Sequence, residues 1–366
     1  MKTSCLSAAA LVLLQLAAAQ PHRQNVHKHV QRSPAKEVVI LKQNGVPIST
    51  YTQEAGGSPT PAPAPAPEPE VKNKGAKAPN SYAPPAPSPK EDYSPSDEPA
   101  SGNGISYTPF NDDRSCKTQD EVNSDFESID GYSLIRLYGT ECDQVTTVGN
   151  AAKAKGMKLY VGIANDKVLS PDQTANYGSI QSQCEAISQA VGGSWDLIDT
   201  VGVGNEMVQT GVASGEVVKA IHAAKDALKG KGYDGNVVTA DTFVAMIDSP
   251  DICKASDYAA ANCHPYFDGH VQPENAGEWV KQQAKNVGDK CGKKVVITET
   301  GWPTQGGANG NAQPSKENQE TVVSGIKEAF SDNPSGVIFF SAFNEAWKED
   351  TGATNGVEKY WGVLSN

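Results

Sequence analysis

The segment VVITETGWP (Val295–Pro303) and the segment TVGVGNE (Thr200–Glu206) decide the reading of this chain. Each begins as a short, nearly continuous apolar run, the pattern of a strand buried on both faces in a parallel sheet. Each ends on a glutamate, Glu299 or Glu206, where a loop opens. A carboxylate at the carboxyl end of a buried strand contributes nothing to packing, so two of them suggest acid/base or nucleophilic work. Similar runs recur at Gly104–Thr108, Leu134–Tyr138, Lys158–Ile163, Val237–Ala240, Tyr258–Ala261 and Val337–Ser341, which makes eight. Between them lie amphipathic stretches of helical period: Val122, Phe126, Ile129; Ile180, Cys184, Ile187, Val191; Val217, Ile221, Ala224, Leu228; and Val322, Ile326, Ala329, Phe330. Eight strand–helix units over a stretch of about 250 residues predict a (β/α)8 TIM barrel. Glu206 then closes the fourth strand and Glu299 the seventh, and both face one bowl. The rival is a doubly wound open sheet, which carries a glycine-rich first turn for a nucleotide. The first turn here, YTPFNDD (Tyr107–Asp113), has no glycine. Gly-rich phosphate loops, His-Glu-x-x-His and Gly-x-Ser-x-Gly are absent from the sequence as well.

Outward from the barrel, the chain of 366 residues divides at about residue 104. Met1–Ala19 reads as a secretory signal: Lys2, an apolar stretch from Ala8 to Leu16, and Ala17-Ala18-Ala19 before Gln20. Residues 20–103 read as a disordered Pro/Ala/Ser-rich stalk. PTPAPAPAPEPE (Pro59–Glu70) should form polyproline II at about 3.1 Å per residue, and the nearby Ser and Thr are candidates for O-glycosylation. His22, His27 and His29 read as part of a solvated tail rather than a metal site. Residues 104–366 form the expected catalytic domain. A net charge of −12 argues against nucleic acid and leaves a neutral polymer open. The C-terminal YWGVLSN lacks the hydrophobic tail of a lipid-anchor signal, so no membrane anchor is expected. Of seven cysteines, Cys5 leaves with the signal. The other six form an even set suited to an oxidising compartment, where 15 pairings are possible. Cys116 with Cys142 is the one pairing we expect, because both follow adjacent strands. No Cys-x-x-Cys occurs, and neither metal nor cofactor is expected.

Two carboxyl groups on rigid supports, without metal or nucleotide, fit glycoside cleavage. One group protonates the leaving oxygen while the other attacks the anomeric carbon or activates water, and the ionised partner helps keep the first protonated. Asn205 beside Glu206 offers an amide to a sugar hydroxyl, or is a turn residue. Arg136, inside LIRLYG, needs a buried partner; it pairs with Glu299 and keeps it ionised, or forms a purely structural ion pair. Tyr107, Phe110, Tyr138, Tyr266, Phe267, Trp302, Phe343 and Trp347 gather at strand ends, where flat faces suit pyranose rings or pack the core.

These motifs, VGVGNE, TETGWPTQG and FNEAWK in that order with LIRLYGTEC upstream, resemble glycoside hydrolase family 17. The similarity is greatest to its fungal cell-wall β-1,3-glucanases and soluble cell-wall proteins, and it covers the whole predicted barrel. The resemblance implies a retaining mechanism with Glu206 as acid/base and Glu299 as nucleophile. It implies that Asn205 holds the hydroxyl beside the anomeric centre, and that Tyr138 and Tyr266 line the catalytic subsite. Glu345 and Lys348 fall at accessory polar positions of the cleft. The implied partners are β-1,3-glucan and the cell-wall matrix, and the implied product is either hydrolysed or transferred glucan, made outside the cell by a monomer. Plant members carry an insertion near the sixth unit; the short stretch from Tyr258 to Lys294, with one helix over Glu278–Val287, leaves no room for one. An exo-acting β-glucosidase on the same scaffold and a non-catalytic wall protein are the alternative readings.

Overall fold

The computed structural model describes residues 36–43, 46–54, 102–350 and 354–365. The signal segment, the Pro-rich stretch and the three early histidines lie outside the described residues. Two strands, β1 (Lys36–Gln43) and β2 (Val46–Glu54), pair antiparallel from Lys36↔Glu54 to Gln43↔Val46. Asn44-Gly45 between the two strands is the dipeptide that two-residue hairpins favour, and Val, Ile and Thr recur on both sides of it. The hairpin belongs to a unit of its own.

The second unit is the barrel. Its strands are β3 (Gly104–Ser106), β4 (Leu134–Leu137), β5 (Lys158–Ile163), β6 (Ile198–Asn205), β7 (Asn236–Thr242), β8 (Ala259–Asn262), β9 (Val295–Thr300) and β10 (Val337–Phe339). All pair parallel in chain order, and β10 returns to β3 to close the ring. The helices are α1 (Gln119–Ser128), α2 (Gln144–Ala154), α3 (Asn165–Val168), α4 (Tyr177–Ala190), α5 (Ser214–Lys229), α6 (Phe243–Asp248), α7 (Pro250–Ala255), α8 (Ala276–Cys291) and α9 (Lys316–Ala329). Each longer helix forms for local reasons. Thr118 and Glu121 make a reciprocal cap that starts α1. Helix α5 buries Val217, Ala220, Ile221, Ala224 and Leu228 on one stripe, as its period requires. Only two short 3-10 turns precede α8 between β8 and β9, so the sixth unit carries no added subdomain.

The core has two layers. One lies between strands and helices; the other plugs the ring from inside with Leu134, Tyr160, Val238, Ala240, Tyr258, Ala260, Val296 and Ile338. Side chains alternate along a strand, so the inward series continues two residues on. Leu134 is followed by Arg136, Ala260 by Asn262, and Val296 by Thr298. The apolar plug is thus capped by a polar layer at the carboxyl ends. Gly202 makes room for this layer: a Cβ there would lie 2.5 Å from the Tyr160 ring, which in turn sits 5.0 Å from the Arg136 guanidinium.

Cys116 is bonded to Cys142, as expected. A second disulfide, Cys253–Cys291, joins α7 to the end of α8. Cys184 and Cys263 remain buried thiols, so the even set of six does not pair throughout. Cys184 occupies an apolar position on the inner face of α4, where it serves as a small hydrophobe. With its cysteines 38 positions apart in sequence, the second bridge should contribute about 4 kcal/mol by restricting the unfolded chain. Cys253→Ser with Cys291→Ser should therefore lower the melting temperature by roughly 10 °C in calorimetry. An unchanged value would show that the bridge adds nothing.

Candidate active site

Glu299 lies near the end of β9 and is 6% exposed. The β8–β9 register shifts just before it, so that Ala261 pairs with Ile297 but Asn262 pairs with Glu299. A bulge of this kind re-aims a side chain at a strand end. The carboxylate is held at both oxygens. Arg136 Nη1 donates to Oε1 at 3.0 Å, and the Tyr138 hydroxyl donates to the same oxygen at 2.8 Å. His264 Nε2 lies 3.2 Å from Oε2. Burial alone would raise the Glu299 pKa, but Arg136, His264 and Tyr138 outweigh it and hold the group down at about 2. Burial pushes the Tyr138 phenol well up, so it stays protonated and remains a donor.

Arg136 organises the floor of the site. It is 1% exposed and also donates to the Thr298 carbonyl (2.7 Å), Asn262 Oδ1 (3.3 Å) and Asn205 Oδ1 (2.8 Å). Its guanidinium stacks over Tyr138 at 4.6 Å. The buried cation expected in LIRLYG therefore has its carboxylate partner, together with both flanking amides.

Glu206 follows β6 through a second register shift, between Gly202 and Asn205 of the β6–β7 pairing. Gly204 and Glu206 both have positive φ, 71° and 54°. Glycine adopts this at no cost, whereas glutamate pays roughly 1–2 kcal/mol. Asn262 Nδ2 donates to Glu206 Oε1 at 2.9 Å and to Asn205 Oδ1 at 3.0 Å. Asn262 thus joins the two acids: it touches Glu206 directly and reaches Glu299 through Arg136. Burial first, and then the charge of Glu299, raise the Glu206 pKa above the ordinary carboxylate value. The pair is split by its surroundings, one group kept ionised and the other biased toward its acid form.

The rim is less uniform. Glu345 is buried, bonded to the Thr108 hydroxyl and paired with Lys348 at 2.5 Å. Lys348 also lies 4.4 Å from the centre of the Phe340 ring. Trp302 and Tyr266 are both 0% exposed. The Trp302 indole donates to the Gln313 carbonyl, and Tyr266 donates to the Gly307 carbonyl and stands edge-on to Trp302 and Trp361. In the structure these two rings wall and brace the site, with no face open to a sugar. Phe267 has the exposed face instead, at 44%, and packs beside Trp361 and His264. Sequence reading passed over Asn262 and His264. Both sit at or just past the end of β8 in ANCHPYF, and the criterion that found the glutamates, a polar residue at the carboxyl end of a buried strand, applies to them equally.

A parallel eight-stranded ring with two differently tuned carboxyl groups at its carboxyl-end mouth is the arrangement of a barrel glycosidase. The chain belongs to the BtgE/BtgC glycoside hydrolase domain family, whose model matches residues 104–362. It is 44% identical to a cell surface mannoprotein of Candida albicans over 72% of this chain and 66% of that protein. It is 46% identical to a probable family 17 glucosidase of Saccharomyces cerevisiae, over 72% of this chain and 64% of that one. The matched stretch therefore spans a little under two thirds of these relatives' own lengths. Among solved structures, an active-site mutant of the Rhizomucor miehei β-1,3-glucanosyltransferase in complex with laminaritriose superposes with a TM-score of 0.61 at 25% identity. That match covers 72% of this chain and 93% of the other.

Proposed function

We propose that the barrel is a retaining glycosidase acting on β-1,3-glucan, by hydrolysis or by transfer to a second glucan, in remodelling a cell wall outside the cell. The observation that carries this is the pair itself: an ion-paired Glu299 and a Glu206 biased toward its acid form, linked by Asn262 at the ends of β9 and β6. In this reading Glu206 protonates the glycosidic oxygen while Glu299 Oε2 attacks the anomeric carbon. The bond to the leaving sugar breaks as the bond to Glu299 forms. Glu206, now ionised, then takes a proton from water or from an acceptor sugar hydroxyl as that oxygen attacks the anomeric carbon; the bond to Glu299 breaks as the new bond forms, and the product leaves with its starting anomeric configuration. Asn205, held between Arg136 and Asn262, presents its amide to the hydroxyl next to the reacting carbon. The Glu345–Lys348 pair binds further hydroxyls. The substrate class is supported by the laminaritriose complex of the glucanosyltransferase relative. An extracellular setting is supported by the two disulfides and by the cell-surface relative.

Incubation with reduced β-1,3-glucan oligosaccharides of several lengths tests this. Internal cleavage products, or products longer than the donor, are expected. Glucose alone from the first minutes would mark an exo-acting β-glucosidase. Binding with no turnover would mark a wall protein without catalysis.

A further inference from the structure

The direction of the Glu206 carboxyl is set by a turn that its neighbours hold from both sides. Strand β5 ends at Ile163, opposite Val203 on β6, so the next rung toward Asn205 lacks a strand partner. The side chain of Asn165 supplies that rung. Its Oδ1 accepts from the Asn205 N–H at 2.7 Å, and its Nδ2 donates to the Asn205 carbonyl at 2.8 Å. One side-chain amide thus makes both bonds that a neighbouring strand would make.

The other side belongs to β7. The Glu206 N–H donates to the Ala240 carbonyl at 2.8 Å. The next residue, Asp241, is 0% exposed, and its carboxylate accepts from the N–H groups of Val208 (2.8 Å), Gln209 (3.2 Å) and Thr242 (2.9 Å). Val208 and Gln209 lie in the first turn after Glu206. A fully buried carboxylate is costly unless its oxygens are satisfied, and here backbone donors of that turn satisfy them. Between these two grips lie Gly204, Asn205 and Glu206, a sequence whose two positive φ values no regular element would maintain.

We propose that Asn165 and Asp241 are positioning residues: by gripping the backbone from Asn205 to Gln209 on both sides, they fix where Glu206 delivers its proton. The inference deepens the proposed function and rests on Glu206 being the proton donor. A misplaced acid has a specific signature. Cleavage of a natural glycosidic bond needs the proton, whereas a 2,4-dinitrophenolate leaving group departs without one.

The test compares kcat/KM on a β-1,3-glucan oligosaccharide and on 2,4-dinitrophenyl β-laminaribioside for wild type, Asn165→Ala, Asp241→Asn and Glu206→Gln. Asn165 is exposed, so its truncation leaves the core intact. We expect both positioning variants to lose roughly 10- to 100-fold on the oligosaccharide and to change less than about threefold on the aryl glycoside. Glu206→Gln is the control and should show the same selectivity more strongly. Parallel losses on the two substrates in folded Asn165→Ala, or no loss on either, would overturn the positioning role while the control stands. A control without selectivity would overturn the proton-donor assignment itself.

Discussion

Glu299→Gln is expected to lose activity and stability together. In the proposed mechanism the ionised Glu299 is the nucleophile, and loss of such a group costs on the order of 10⁴- to 10⁶-fold in turnover. The stability loss comes from Arg136. This guanidinium is buried beneath the site, and its only ion pair among the described residues is with Glu299. Removing one partner of a buried pair strands the other charge. A carboxyl held at about 2, against an ordinary value near 4.5, corresponds to roughly 3 kcal/mol at neutral pH. The sign follows from the lowered pKa. The stabilisation is complete above the unfolded value and disappears as pH falls from about 4.5 toward 2. Denaturant melts at pH 7 should therefore show the variant about 3 kcal/mol less stable, with the gap closing in acid. Equal stability at pH 7 would mean that Arg136 does not depend on this carboxylate.

Glu206→Gln is expected to lose activity without that loss of stability. A general acid/base contributes about 10²- to 10⁴-fold, so the oligosaccharide rate should fall by that much. The folded-state pKa of Glu206 is raised, first by burial and then by Glu299. A raised carboxyl stabilises the fold while protonated, and that benefit is lost as pH rises through its folded pKa. At neutral pH the native carboxylate is thus a burden, and the neutral amide still accepts from Asn262. Melts at pH 7 should show the variant as stable as wild type or more so, with no gain near pH 4. The same shift governs wild-type activity: kcat/KM should fall as pH rises through the Glu206 pKa, and this alkaline limb should vanish in the variant on an activated aryl glycoside. A variant markedly less stable at pH 7 would contradict the like-charge tension between the two acids.

Much of the barrel was legible because parallel strands buried on both faces are written as short apolar runs, and all eight such runs became strands of the ring. Arg136 was legible because a cation inside a strand demands a partner. Trp302 was less so, since an indole that packs and an indole that stacks on sugar look the same in sequence; only its burial separates them. Asn165 and Asp241 also stand at or just past the carboxyl ends of β5 and β7, but nothing in the sequence distinguishes a side chain that grips the backbone of a neighbouring turn from one that faces substrate. The bridge between Cys253 and Cys291 links two outer helices, a neighbour relation invisible to reasoning from strand ends.

The central claim is that Glu299 and Glu206 act across one glycosidic bond, the first as nucleophile. The most direct measurement is mass spectrometry of the full chain after incubation with 2,4-dinitrophenyl 2-deoxy-2-fluoro-β-laminaribioside, which slows release of a glycosyl–enzyme intermediate. The account predicts one added fluorinated disaccharide, located by peptide fragmentation on Glu299. An adduct on another residue, or turnover that inverts the anomeric configuration with no adduct, would contradict it.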